Sequence, residues 1–173
     1  MNAEAVAADA SWLDRACLGE ALPVTAENWL MMAAANYAND AAAESYLQQA
    51  LELAPGHPAV YIAFYRFHFY HSRIRQALPY AEKCLEFAAC ELGLAPDWRG
   101  VGPRDAGFDD YAASGPRFYL FSLKACGYLR MRLGELESGR QALEKVRELD
   151  PADKVGAAML LEVLQRMGRD DDD

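Results

Sequence analysis

Self-similarity at a spacing of 34 residues limits what this chain can fold into more than any other feature. Ala43, Leu47 and Ala50 recur 34 positions later as Ala77, Ala81 and Cys84, all small or apolar and spaced to share one helical face. A second register agrees, since Arg132-Leu133-Gly134 returns as Arg166-Met167-Gly168, again 34 apart. The segment Ala50-Leu51-Glu52-Leu53-Ala54-Pro55 reappears as Val146-Arg147-Glu148-Leu149-Asp150-Pro151 at an offset of 96, which is two periods plus an insertion of 28. A period of this size belongs to stacked supersecondary units, each too small to bury its own apolar face.

Local signals agree with helical units. Pro55-Gly56-His57-Pro58 breaks one helix and starts the next, and Gly115-Pro116 puts a proline where the first turn of a helix tolerates it. Pro79 falls about one turn into a proposed helix, where a mild kink is expected rather than a break. Residues 2–22 read as an additional N-terminal helix, amphipathic from Ser11 to Leu22, with Trp12, Leu13, Ala16, Cys17 and Leu18 free to pack on the first repeat. At 173 residues and 53% hydrophobic the chain suits one folded domain, 1–169, followed by an acidic solvated tail at 170–173.

A 34-residue helix-turn-helix unit ending in proline resembles the tetratricopeptide repeat (TPR). With Pro55 near the end of the first unit, the repeats run 24–57, 58–91 and 120–153, the insertion is 92–119, and 154–168 is a capping helix. The best matches are Ala43, Leu47, Ala50 and Pro55, then Tyr61 and Phe64, then Gly127, Gly134 and Pro151. Met31 and Tyr65 depart from the pattern where a small residue is usual, Ala34 and His68 where an aromatic is usual, and Gly139 where alanine is usual. The resemblance implies an all-α, TPR-type right-handed superhelix of three repeats with an N-terminal helix, a capping helix and a loop insertion between repeats two and three.

The same resemblance implies a concave groove lined by the first helix of each repeat. Its positions here are Thr25, Asn28, Met32, Ala35 and Asn36; then Ala59, Ile62, Arg66, Phe69 and Tyr70; then Phe121, Lys124, Tyr128, Met131 and Arg132; with Glu162, Gln165 and Arg166 from the capping helix. Cations among aromatics suit an acidic or carboxylate-bearing protein segment, because the cation gives charge-assisted hydrogen bonds and the rings give rigid area. Stray bases on solvated helix faces are the plainer reading of Arg66, Lys124 and Arg132. TPR domains that clamp C-terminal carboxylates begin with Lys and Asn in the first repeat, where this chain has Asn28 and Met32.

Charge is unevenly spread. Residues 1–65 hold one Arg against eight acids, 66–132 hold ten bases against seven acids, and 133–173 hold six bases against eleven acids. The net charge of -9 argues against nucleic acid or an anionic membrane as partner. The insertion holds five glycines and three prolines yet also Trp98, Phe108 and Tyr111, so it is expected either to fold over the stack and bring Trp98, Arg99 and Arg104 to the groove, or to pack without touching a partner.

The chemistry of known enzymes is missing from the sequence: no Walker A, dinucleotide fingerprint, HExxH or nucleophile elbow occurs. His68 and His71 share a helix three apart but have no carboxylate or cysteine at ligand spacing, and Asp97, Asp105, Asp109 and Asp110 do not follow a calcium-loop pattern, so neither metal nor cofactor is expected. Cys17, Cys84, Cys90 and Cys126 are scattered and read as reduced thiols. With acidic residues at the start and no membrane-length apolar run, a cytoplasmic protein is expected. The leading functional reading is a non-catalytic adaptor or scaffold. The chain is also similar in size, acidity and repeat number to class II chaperones of type III secretion, from which the insertion departs. Self-assembly as a homodimer through Trp12 and Trp29 is a competing reading, and an enzyme or small-ligand protein is the remaining one.

Overall fold

The computed structural model describes residues 21–170, with side chains through Arg166. The expected N-terminal helix lies outside the described residues except for Ala21 and Leu22, which precede the first described helix as irregular chain. Of the expected acidic tail only Asp170 is described, as the end of the last helix. The α-helices of the described residues are, in order, α1 Val24–Ala35, α2 Asp40–Leu53, α3 Pro58–Tyr70, α4 Ile74–Glu91, α5 Ser114–Arg132, α6 Leu136–Leu149 and α7 Ala158–Asp170, with a short 3-10 turn at Trp98–Gly100. The regular structure of the described residues is entirely helical. Two compact units divide the chain, one through Ala63 and one from Phe64, and α3 supplies residues to both.

In the N-terminal unit, α1 packs on α2. Asn39 starts α2 by accepting the Ala42 N–H at 3.2 Å, which satisfies one of the four orphan donors of a helix start. Small residues make the contact, with Ala26 and Ala33 buried from α1 and Ala43, Leu47 and Ala50 from α2. Trp29 is half-buried and stacks on Tyr46 with ring centroids 5.6 Å apart, so the ring expected to face a second copy has an internal partner. Met31, which the repeat register sets at the small helix-packing position, is exposed, and Ala26 and Ala33 take the packing face instead.

In the C-terminal unit, α4 packs on α5, α5 on α6 and α6 on α7. Phe64 from α3 stacks on Tyr80 from α4 at 4.4 Å. Helix α4 runs through Pro79, which is exposed, so water can serve the carbonyl one turn back that the missing N–H leaves open. Helices α5 and α6 approach backbone to backbone: a Cβ on Gly139 would sit 2.9 Å from the Gly127 carbonyl and 3.0 Å from the Met131 nitrogen. Glycine at 139 is therefore a packing requirement, which explains the departure from alanine. Around that crossing Leu120, Leu123, Leu129, Leu143, Val146 and Leu149 are buried.

Helix ends follow chain chemistry. At α5 the chain turns on Gly134 (φ 81), and Glu135 N–H reaches back to the Arg130 carbonyl at 2.9 Å. At α3 the same job falls to Ser72 (φ 58), with Arg73 N–H bonded to the His68 carbonyl at 2.8 Å, a left-handed position that costs any residue with a Cβ. Asp153 accepts from Ala157 and Ala158 N–H at 2.8 and 3.1 Å, so the helix expected from 154 begins at Ala158. Helix α5 begins at Ser114, so the last six residues of the expected insertion are helical.

The remaining insertion is irregular but anchored. Val101 and Phe108 are buried, and Phe108 meets Tyr119 at 5.7 Å. Three cations hold its backbone carbonyls: Lys145 on Val101 at 3.1 Å, Lys154 on Asp109 at 2.9 Å and Arg117 on Tyr111 at 3.1 Å. Arg117 comes from the basic middle of the sequence, and Lys145 and Lys154 from the acidic segment that follows it.

Candidate functional site

Helices α3 and α5 bring the expected groove residues of the C-terminal unit together. Ring centroids of Phe69 and Tyr128 are 5.9 Å apart, and Phe69 meets Tyr65 at 5.7 Å and Tyr70 at 5.5 Å. Arg132, one turn beyond Tyr128 on α5, donates to the Tyr128 hydroxyl at 2.9 Å and lies 5.8 Å from that ring's centroid. Phe69 and Tyr128 are half-buried, while Tyr70 and Arg132 are exposed. The result is a ledge of aromatic rings with an oriented guanidinium at its solvent edge. Arg66, half-buried on α3, is one helical turn before Tyr70.

Beneath the ledge the surroundings are dry. Burial raises the Tyr65 phenol above its ordinary range, with Cys126 and Tyr70 adding to it, so this hydroxyl stays protonated. Burial likewise pushes the Cys84 thiol up to about 12 and raises Cys126 well beyond the usual thiol range, the latter helped by Glu82. Arg130 ties the helices together, bridging Glu82 of α4 and, at 2.7 Å, Glu135 beyond α5.

Other expected residues fall elsewhere. Lys124 turns its ammonium to the Val155 carbonyl between α6 and α7 and sits 4.8 Å from the Phe121 ring centroid, so it has a structural task. Asn28 and Met32 of α1 are exposed, and Asn36 donates from its amide to the Met32 carbonyl at 2.9 Å, ending the helix. Ile62 is buried in the N-terminal unit. Arg166 is exposed and 3.7 Å from Glu162.

The insertion uses a different side of α5. Tyr119, which receives Phe108, is nine residues from Tyr128, or about two and a half turns, and so lies on the opposite helix face. Arg99 lies 4.4 Å from the Trp98 ring centroid and 3.3 Å from the Asp97 carboxylate, and Arg104 is exposed. The Arg99 backbone N–H and side chain hold the Asp97 carboxyl below its usual range. Burial, with the Asp97 charge, pushes the Tyr119 phenol up to about 12.

His68 is buried in an aromatic stack, 6.0 Å from Phe64 and 5.7 Å from Tyr80, and His71 Nδ1 is 2.7 Å from the Phe67 carbonyl. Among the described residues no group of three or more His, Cys, Asp or Glu side chains is placed to hold a metal ion. Nor is any described helix long and apolar enough to cross a membrane. What the ledge can do chemically is bind: rings offer flat apolar area, and the guanidinium offers charge-assisted hydrogen bonds to a carboxylate.

Comparison with known proteins gives a relative in Azotobacter chroococcum mcd 1, described as an uncharacterized 19.8 kDa protein in the nifW 5' region. The two are 40% identical over 136 residues, covering 76% of this chain and 74% of that protein. No protein-family model matches the chain. No solved structure matches it.

Proposed function

This chain belongs to the family of that Azotobacter chroococcum protein, and we propose that it is a non-catalytic, TPR-type interaction module working in the cytoplasm. It acts as an adaptor that holds an acidic or carboxylate-bearing segment of a partner protein on the α3–α5 ledge. The observation that carries this reading is the joining of Phe69, Tyr128 and Arg132 from two helices, with the guanidinium oriented by the Tyr128 hydroxyl. An arginine already held in place loses less side-chain freedom on binding than a free one, and partly exposed rings around it give the low-entropy contact area typical of binding hot spots.

The test is affinity capture from the source cell with the full-length protein as bait. The relative is described by its place in the nifW 5' region, which makes the nifW product the first partner to assay. Charge reversal of the exposed Arg132 is expected to abolish capture while helicity and melting stay nearly unchanged. Capture that survives the reversal contradicts the assignment. Lys124→Glu is the instructive contrast, because loss of its bond to Val155 is expected to lower the melting temperature as well.

A further inference from the structure

The N-terminal unit carries a second surface of opposite character. On α1, Val24, Asn28, Met31 and Ala35 fall within about 60° of one another around the helix, with Met32 beside them. Val24 is 72% exposed, Met31 64% and Met32 43%. The reverse face of α1 is also apolar, with Ala26 and Ala33 buried on the side packed against α2. A helix that is apolar on both sides is normally covered on both sides.

Charge indicates what covers the open face. Residues 21–63 include Glu27, Asp40, Glu44 and Glu52 but no Lys or Arg, and Glu27 lies on α1 at the edge of the apolar stripe. A second copy of this unit would bring like charges together, which disfavours self-pairing. Exposed methionines adapt their shape to varied apolar partners, and an apolar helix face of this kind packs against the apolar side of an amphipathic helix. We propose that the Val24–Met31–Met32 face of α1 docks a basic amphipathic helical segment of a partner protein. The apolar side of that segment packs on the methionines, and its Lys or Arg residues lie over Glu27 at the edge of the stripe. This surface belongs to the N-terminal unit and the ledge residues to the C-terminal one, and it takes a ligand of the opposite sign.

The probe is a synthetic Leu/Lys peptide patterned as an amphipathic helix, titrated into the full-length protein by fluorescence anisotropy. Two control peptides accompany it, one with Glu in place of every Lys and one with the Leu/Lys order scrambled to destroy the apolar face. The Leu/Lys peptide is expected to bind, and both controls at least about tenfold more weakly. Met31→Glu combined with Met32→Glu is expected to weaken binding by at least about tenfold with helicity and melting preserved, since both side chains are exposed. Equal binding of the scrambled peptide, or unchanged binding to the double variant, overturns the proposal. So does sedimentation showing that the free chain dimerises and that Met31→Glu dissolves the dimer, because a second copy would then be the occupant.

Discussion

Helices α1 and α2 meet through alanines, Ala26 and Ala33 against Ala43 and Ala50, with Leu47 among them, whereas α5 and α6 meet through a glycine crossing ringed by fully enclosed leucines such as Leu123, Leu129 and Leu143. Both are helix pairs joined by tight turns, yet they dispose of their apolar surface differently. The C-terminal pair buries its large aliphatics and leaves aromatic edges and a guanidinium outside. The N-terminal pair buries small residues and leaves Val24, Met31 and Met32 uncovered. The difference teaches that stability and binding are separated in this chain: the leucine-rich unit is where core mutations are felt, and the alanine-lined pair is where large apolar side chains are available to a partner.

The largest effect expected from this contrast is at Leu143. It is fully enclosed, so Leu143→Ala should cost about 2–5 kcal/mol, whereas Met31→Ala on the open α1 face should change stability by no more than about 0.5 kcal/mol; urea unfolding monitored by circular dichroism measures both. Similar costs at the two positions would break the comparison. Next comes Gly139→Ala, expected to destabilise by about 1–3 kcal/mol because the new methyl meets backbone atoms that cannot step aside. Ser72→Gly works in the other direction, stabilising by about 0.5–1 kcal/mol as the left-handed strain at the end of α3 is relieved; differential scanning calorimetry should show the higher melting temperature. The smallest signal is in the thiols. At neutral pH alkylating reagent should label the exposed Cys90 well before the buried Cys84 and Cys126, whose raised pKa values keep them protonated, and peptide mapping reads the order.

Much of this architecture is written locally, and its limits are equally physical. The Pro55-Gly56-His57-Pro58 break and the Arg132-Leu133-Gly134 stop coincide with helix connections because proline and left-handed glycine act through their own backbone. Phe69, Tyr128 and Arg132 were legible together because the TPR resemblance sets all three at groove positions of first helices, and their rings and guanidinium do meet across α3 and α5. The task of Lys124 was not, since its acceptor is 31 residues away at Val155, and no periodicity reports such a contact. The same is true of Lys145 and Lys154, whose hold on the insertion spans 44 and 45 residues and redirects that loop to the Tyr119 side of α5. The open face of α1 could have been read from the 24, 28, 31, 35 stripe, but that helix is apolar on both sides, and only packing decides which side is covered.

Photo-crosslinking tests the central claim most directly. A benzophenone side chain placed at Tyr70, exposed beside Phe69, is to be activated in the source cell, with the same probe at Arg104 on the insertion as reference. The expected result is a discrete protein adduct from position 70 that is absent from position 104 and lost when Arg132 is changed to Glu. Adducts of equal yield from both positions, or an adduct at 70 indifferent to Arg132→Glu, would contradict the claim that the α3–α5 ledge is the binding surface.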